Sequence, residues 1–238
     1  MIRTISVAIY LLFLLIGTIP SLIRVKKYEK ENKIHEKYEL VHRVAHNFGK
    51  KMIDCTGSKV RVTGYENIPK DETVVFIGNH QGNFDIPLLL GYIDKPIAYI
   101  AKIEIMKLPI VRDWMKYMRC VFIDRKDPRQ SLKAISQGVE YIKEGQSMVI
   151  FPEGTRSKGD KIGEFKPGSL KLATKAGTTI VPFTIKGTYK IFEANKNKIK
   201  PAEVELIIHP PVYTSGLSKE ELNELPDKIK ETITSALK

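Results

Sequence analysis

Thr73-Val74-Val75-Phe76-Ile77, then Gly78-Asn79-His80-Gln81-Gly82-Asn83-Phe84-Asp85, then Ile86-Pro87-Leu88-Leu89-Leu90-Gly91-Tyr92 reads as strand, loop and short helix. The first run is apolar at nearly every position and too short for a helix, as expected of a strand buried on both faces. Gly82 lets the loop turn tightly, and Pro87 falls in a first helical turn, where proline is tolerated.

The pattern recurs downstream. Val60–Val62, Ile97–Ala101, Val121–Ile123, Ser147–Phe151, Thr179–Thr184 and Val204–Ile208 are further short, β-branched runs. Helical patterns separate them over 103–117, 128–143, 168–176 and 218–237. In 128–143, Leu132, Ile135, Val139 and Ile142 share a face and Gly145 supplies a stop. Ser218 and Glu221 have capping-box spacing, and Pro226 is predicted to break or kink the last helix. Such alternation predicts an α/β fold: a mostly parallel central sheet of about seven strands flanked by helices.

Upstream, Thr4–Ile23 is 20 residues without a charge, about 30 Å as a helix, the thickness of a bilayer's hydrocarbon core. No small-residue cleavage site follows it, which disfavours a cleaved signal peptide. Arg3 precedes it and Arg24, Lys26 and Lys27 follow it. This flank predicts attachment to the cell membrane with the bulk of the chain on the cytoplasmic side. Gly17, Thr18 and Pro20 favour a bent, partly inserted helix over a straight span. In 24–51, Ile34, Tyr38, Val41, Ala45 and Phe48 trace one helical face, for the membrane surface, the first helix or the main domain. The expected organisation is a helical anchor over 1–57 and an α/β domain over 58–238.

Among 238 residues, 39 Lys and Arg against 27 Asp and Glu give a net charge of +12. That balance favours anionic partners, including an anionic membrane surface. A single Trp and no aromatic-rich basic patch argue against nucleic acid. Cys55 and Cys120 are too few for a disulfide framework or a four-cysteine zinc site. His42 and His46 share a helical face but lack a third ligand nearby, so no metal is expected. Neither a Walker A sequence nor G-x-G-x-x-G is present.

Ligands of open α/β sheets bind outside the carboxyl ends of the strands. There the sequence places His80 and Asp85, Lys102 and Glu104, Asp124-Arg125, and Pro152-Glu153-Gly154-Thr155-Arg156. With His80 at the strand end and Asp85 as helix N-cap, the carboxylate can fix the imidazole tautomer while the other ring nitrogen removes a hydroxyl proton. The plainer alternative is an N-cap Asp beside a solvated His. Ser169 lacks the flanking glycine of a nucleophile elbow and Cys120 looks buried, so the base would act on a substrate hydroxyl. Lys102, Arg125 and Arg156 could hold a phosphate, or form surface ion pairs with Glu104, Asp124 and Glu153. Gly154 would permit close backbone approach, and Thr155 adds a hydroxyl.

From Gly64 to Pro182 these segments resemble the glycerophospholipid acyltransferase family, lysophosphatidic acid acyltransferases in particular. Asn79–Asp85 is similar to its His- and Asp-bearing block, Ala101–Glu104 to its Lys-containing segment, and Val121–Arg125 to its second block. Phe151–Ser157 is similar to its third block, with Phe165–Gly168 and Ile180–Phe183 similar to the rest. One departure is Arg119, where the family usually has glycine. The resemblance implies His80 as general base and Asp85 as its partner, without a covalent acyl-enzyme or cofactor. It implies Lys102, Arg125, Glu153, Gly154, Thr155 and Arg156 as the phosphate-binding set, with Glu153 ordering its block. The implied acceptor is lysophosphatidate, and the implied donor is a thioester of acyl carrier protein or coenzyme A. Other acceptors, such as glycerol 3-phosphate or another lysophospholipid, are the near alternative. A basic membrane-associated binding protein without catalysis is the distant one.

Overall fold

The structure, a computed structural model, describes residues 2–124, 126–166 and 168–237, without the side chain of Pro128. Arg125 and Pro167 therefore lie outside the described residues.

Seven strands form one sheet among these residues: β1 (Lys59–Thr63), β2 (Val74–Gly78), β3 (Ile97–Lys102), β4 (Val121–Ile123), β5 (Ser147–Ile150), β6 (Thr179–Lys186) and β7 (Glu203–Ile208). Their spatial order is β1-β7-β6-β2-β5-β3-β4. β2 is central and buried at every position. All pairings are parallel except β6 with β7. β1 and β7 therefore run against the other strands. Lys186 at the end of β6 pairs with Glu205 near the start of β7, and Glu203 pairs with Lys59. The starts of β1 and β7 thus share an edge with the carboxyl ends of β2, β3, β5 and β6.

Helices α1 (Ile2–Ile16), α2 (Ile19–Lys30), α3 (Ile34–Asp54), α4 (Asp85–Tyr92), α5 (Pro109–Tyr117), α6 (Pro128–Lys143), α7 (Lys171–Ala176) and α8 (Lys219–Ser235) accompany the sheet, with Leu22 and Val25 of α2 packing on Leu40, Val41 and Trp114 in a cluster of their own. Proline and glycine explain where several differ from expectation. The helix expected over 103–117 is a 3₁₀ turn followed by α5, because Pro109 opens α5 and Leu108 before it is extended. In contrast, α8 continues through Pro226. Leu225, Ile229 and Ile233, four residues apart, are buried, and their packing offsets the missing hydrogen bond. The helix expected over 24–51 is interrupted at Asn32, whose φ of 54° turns the chain between α2 and α3. Ile34 and Tyr38 are exposed, while Leu40, Val41, Gly49 and Ile53 are the buried positions of α3.

α3 and α4 touch through two glycines. A Cβ on Gly49 would lie 2.7 Å from the backbone nitrogen of Gly91, and one on Gly91 only 2.4 Å from that of Lys50. Glycine at both positions seats α4, whose first residue is Asp85, directly on the backbone of α3.

α1 packs on the α/β core through Val7, with Leu11 beside it, and Ile53 of α3 joins the same core. Arg3 Nη1 donates to Thr56 O at 3.4 Å, and Ile199 N–H to Thr4 Oγ1 at 3.0 Å. Thr56 and Ile199 each precede a reversed strand. At the far end of α1, Thr18 Oγ1 accepts the indole N–H of Trp114 in α5 at 2.8 Å. α1 therefore lies near the carboxyl edge, tethered at both ends, with Ile5, Ile9, Leu12, Phe13 and Ile16 exposed. The chain breaks between α1 and α2 at Gly17-Thr18, and Pro20 cannot donate to the preceding turn. The combined helical stretch Ile2–Lys30 is long and apolar enough to cross a membrane by length and composition.

Candidate active site

The loop after β2 is built from its own polar side chains. Asn79, 2% exposed, uses its amide as backbone would: Nδ2 donates to Ile185 O at 2.9 Å and Oδ1 accepts Ile185 N–H at 2.8 Å. Gln81, fully buried, accepts Gly187 N–H at 2.8 Å and donates to Asp160 Oδ1 at 3.2 Å. On the other side, Ser157 N–H donates to His80 O at 2.7 Å and Lys158 N–H to Gln81 O at 3.0 Å. The chain around His80 is thus paired with the end of β6 and Gly187 on one flank and the segment after β5 on the other.

His80 Nδ1 lies 2.6 Å from Asp85 Oδ2. Asp85 is the first residue of α4, with Phe84 as N-cap, and makes no cap bond into the helix. Its carboxylate turns back instead. Oδ2 also accepts N–H from Gln81 and Gly82, and Oδ1 accepts the Thr188 hydroxyl. A buried carboxylate is stable only when so satisfied, which explains why the expected N-cap role gives way to a loop-organising one. The imidazole stacks on Phe151, centroids 4.0 Å apart and planes 16° apart, and Phe151 meets Phe183 edge-on. The His80 side chain is 18% exposed, and no described residue hydrogen-bonds Nε2. Nδ1 is thus fixed by a carboxylate while Nε2 has no described partner, an arrangement compatible with proton transfer at Nε2.

Glu153, 4% exposed, commits both oxygens to backbone: Oε1 accepts His80 N–H at 2.8 Å and Oε2 accepts Gly163 N–H at 2.7 Å. It orders two loops and has no oxygen turned to a ligand. Gly154 has φ of +65°, and a Cβ there would meet the Lys166 side chain at 2.9 Å. Thr155 is exposed. Arg156 reaches across to Asn83 Oδ1 and Glu193, so it stands beside the His80 loop. Lys102 ends β3 and is exposed. It leaves the edge two strands from β2, a step of roughly 10 Å at the usual strand spacing. Arg125 lies outside the described residues.

Asn79, Gln81, Thr188, Asp160 and Glu193 were not singled out by sequence reasoning. Only Asn79 and Gln81, alternating about His80, left a local signal.

Cys120 begins the β4 edge of the core; its thiol sits 3.4 Å from Tyr99 N–H, and burial pushes it up to about 12. Burial also raises Cys55. Neither is an activated thiolate. His42 of α3 pairs with Asp94, just past α4, at 3.2 Å. Arg119 sits at φ of +61° just past α5, where Cys120 N–H bonds Met115 O and Arg119 N–H bonds Lys116 O. This is the left-handed helix end that glycine prefers. Its side chain turns to α6, stacking 4.1 Å from the Tyr141 ring and pairing with Glu144.

A largely parallel sheet thus carries a buried carboxylate, an oriented imidazole and cationic side chains at its carboxyl edge, in an α/β fold. The acyltransferase family model matches residues 59–186. A chloroplastic 1-acyl-sn-glycerol-3-phosphate acyltransferase of Arabidopsis thaliana is 37% identical over 74% of this chain and 49% of its own length. A 1-acyl-sn-glycerol-3-phosphate acyltransferase of Borreliella burgdorferi is 34% identical over 76% of this chain and 72% of its own. The crystal structure of the 1-acyl-sn-glycerophosphate (LPA) acyltransferase from Thermotoga maritima superposes with a TM-score of 0.85 at 33% identity, covering 99% of this chain and 95% of that one. The chain belongs to the acyltransferase family and is an acyltransferase. It spans about half the length of the Arabidopsis relative.

Proposed function

We propose that this enzyme transfers an acyl group from a thioester donor to the 2-hydroxyl of 1-acylglycerol 3-phosphate, making phosphatidate. The observation that carries the mechanism is the 2.6 Å contact of His80 Nδ1 with Asp85, which leaves Nε2 without a described partner. Neutral Nε2 takes the hydroxyl proton as the oxygen attacks the thioester carbonyl. Asp85 stabilises the resulting imidazolium. Collapse of the tetrahedral intermediate expels the thiolate, which recovers the proton from the imidazolium, so no acyl group passes through the enzyme. Arg156, with Lys102 and Arg125, supplies positive charge for the acceptor phosphate. Glu153 and Gly154 shape the loop that carries Arg156, and Thr155 offers a hydroxyl at its rim. The acceptor class is supported by the names of the Arabidopsis, Borreliella and Thermotoga relatives.

The exposed apolar side of α1 fits one leaflet of an anionic membrane, with Arg24, Lys26, Lys27 and Lys30 at the headgroups and the α/β domain on the cytoplasmic side. In this arrangement residues 1–57 form the anchor and 58–238 the catalytic domain.

Purified enzyme is assayed with lysophosphatidate, glycerol 3-phosphate and lysophosphatidylcholine, each with acyl carrier protein and coenzyme A donors. Lysophosphatidate is expected to have the highest kcat/KM. A higher value for either other acceptor overturns the acceptor assignment.

A further inference from the structure

Arg156 is held by a residue outside all the recognised blocks. Its Nη1 bonds Asn83 Oδ1 and lies 3.4 Å from Glu193 Oε1. Glu193 Oε1 also accepts Asn83 N–H at 2.8 Å. The Glu193 side chain is 5% exposed and that of Arg156 37%. Glu193 Oε2 is buried without a hydrogen-bond partner among the described residues, and a Cβ on Gly82 would lie 2.7 Å from it. A carboxylate placed this deeply costs desolvation that one guanidinium contact and one N–H only partly offset. The turn presenting it is constrained as well. Lys196 and Asn197 follow at φ of 53° and 59°, a left-handed pair that is strained at the lysine.

The contact divides the guanidinium in two. Nη1 is spent on Asn83 and Glu193, whereas Nη2 and Nε have no described partner. That second edge is the fork which grips two oxygens of a phosphate. A depression beside it is bordered by Asn83, Lys158 and Lys196, which adds two ammonium groups to the same neighbourhood.

We infer that Glu193 is a positioning residue for acceptor recognition: it pins Nη1 of Arg156 so that the Nη2–Nε edge is presented to a phosphomonoester. The inference rests on Arg156 being a ligand of the acceptor phosphate. Glu193 touches no reacting atom; it acts through Arg156.

The test is a double-mutant cycle on the full chain with lysophosphatidate, using Glu193→Gln, Arg156→Ala and the pair. Glutamine keeps an acceptor for Asn83 N–H and removes the charge facing Arg156. Glu193→Gln is expected to raise the acceptor KM roughly tenfold, the scale of one charged hydrogen bond, with kcat and donor KM little changed. In the Arg156→Ala background the same change is expected to add nothing. An unchanged acceptor KM in Glu193→Gln, or an equal rise in both backgrounds, overturns the role of Glu193. An acceptor KM unaltered by Arg156→Ala instead overturns the phosphate assignment beneath it. Thermal midpoints separate a folding defect: if Glu193→Gln lowers the midpoint and kcat together without a selective KM change, the residue is structural and the inference fails.

Discussion

His80 Nδ1 and Asp85 Oδ2 are 2.6 Å apart, and that oxygen also accepts the backbone N–H groups of Gln81 at 2.6 Å and Gly82 at 2.9 Å. One carboxylate thus orients the ring and shapes the loop bearing it. The two residues should therefore fail differently. His80→Ala is expected to lower kcat/KM by about 10²–10⁴-fold, the usual worth of a general base, with little change in melting temperature. Asp85→Ala should lose comparable activity and also stability, at about 1–3 kcal/mol for each buried N–H left unpaired. Steady-state kinetics and thermal melting on both variants check this. Near-normal turnover in His80→Ala would remove the base from the mechanism.

The glycine contact between α3 and α4 predicts a remote route to the same site. Gly91→Ala sets a methyl 2.4 Å from Lys50 N, where backbone must yield. The expected cost is about 1–3 kcal/mol, the range for overpacking, measured as a drop in urea midpoint at constant slope. Activity should fall further than that loss explains, because α4 carries Asp85.

His209 gives a pH dependence of stability. Its Nε2 lies 2.8 Å from Thr184 Oγ1, which donates to Ile233 O at 3.1 Å, and burial lowers its pKa below the usual 6.5. The unfolded chain thus binds this proton more readily than the folded one. The contribution is fully present above the ordinary imidazole value and is lost as pH falls through that value toward the lower folded one. Urea midpoints should decline from pH 7.5 to 5.5, and His209→Gln should flatten that slope. An unaltered slope would show that other groups dominate.

Phe13 is 67% exposed and Leu12 56% on the outer side of α1. Burying one such side chain is worth about 1.5–3 kcal/mol. Phe13→Asp with Leu12→Asp should therefore weaken binding to phosphatidylglycerol vesicles at least tenfold in a sedimentation assay, while the melting temperature stays near that of the parent. Unchanged sedimentation would place the lipid-facing surface elsewhere.

The strands were legible because each is a short β-branched run bounded by polar residues, and a central parallel strand such as β2 has no polar face to confuse the period. Direction left no such trace: Val204–Ile208 reads alike whichever way it runs, and only its register against β6 reveals the reversal. Pro226 misleads because local propensity yields to the buried row Leu225, Ile229 and Ile233. At the site, His80 and Asp85 are five residues apart and share one loop. Thr188 and Glu193 reach that loop from over a hundred residues away, and no spacing rule links them to it. Arg119 departs from the family's glycine, and its left-handed backbone and stacking on Tyr141 make it a helix ending with its head turned to α6.

The two reversed strands create a division of labour within one sheet. The like-directed strands deliver the loops that carry His80 and Glu153, whereas the segments entering β1 and β7 hold Arg3 and Thr4 and so fix how α1 is slung. A chimaera that exchanged only 199–208 with a relative is therefore expected to change how α1 is seated on the domain while leaving the His80–Asp85 contact as it was.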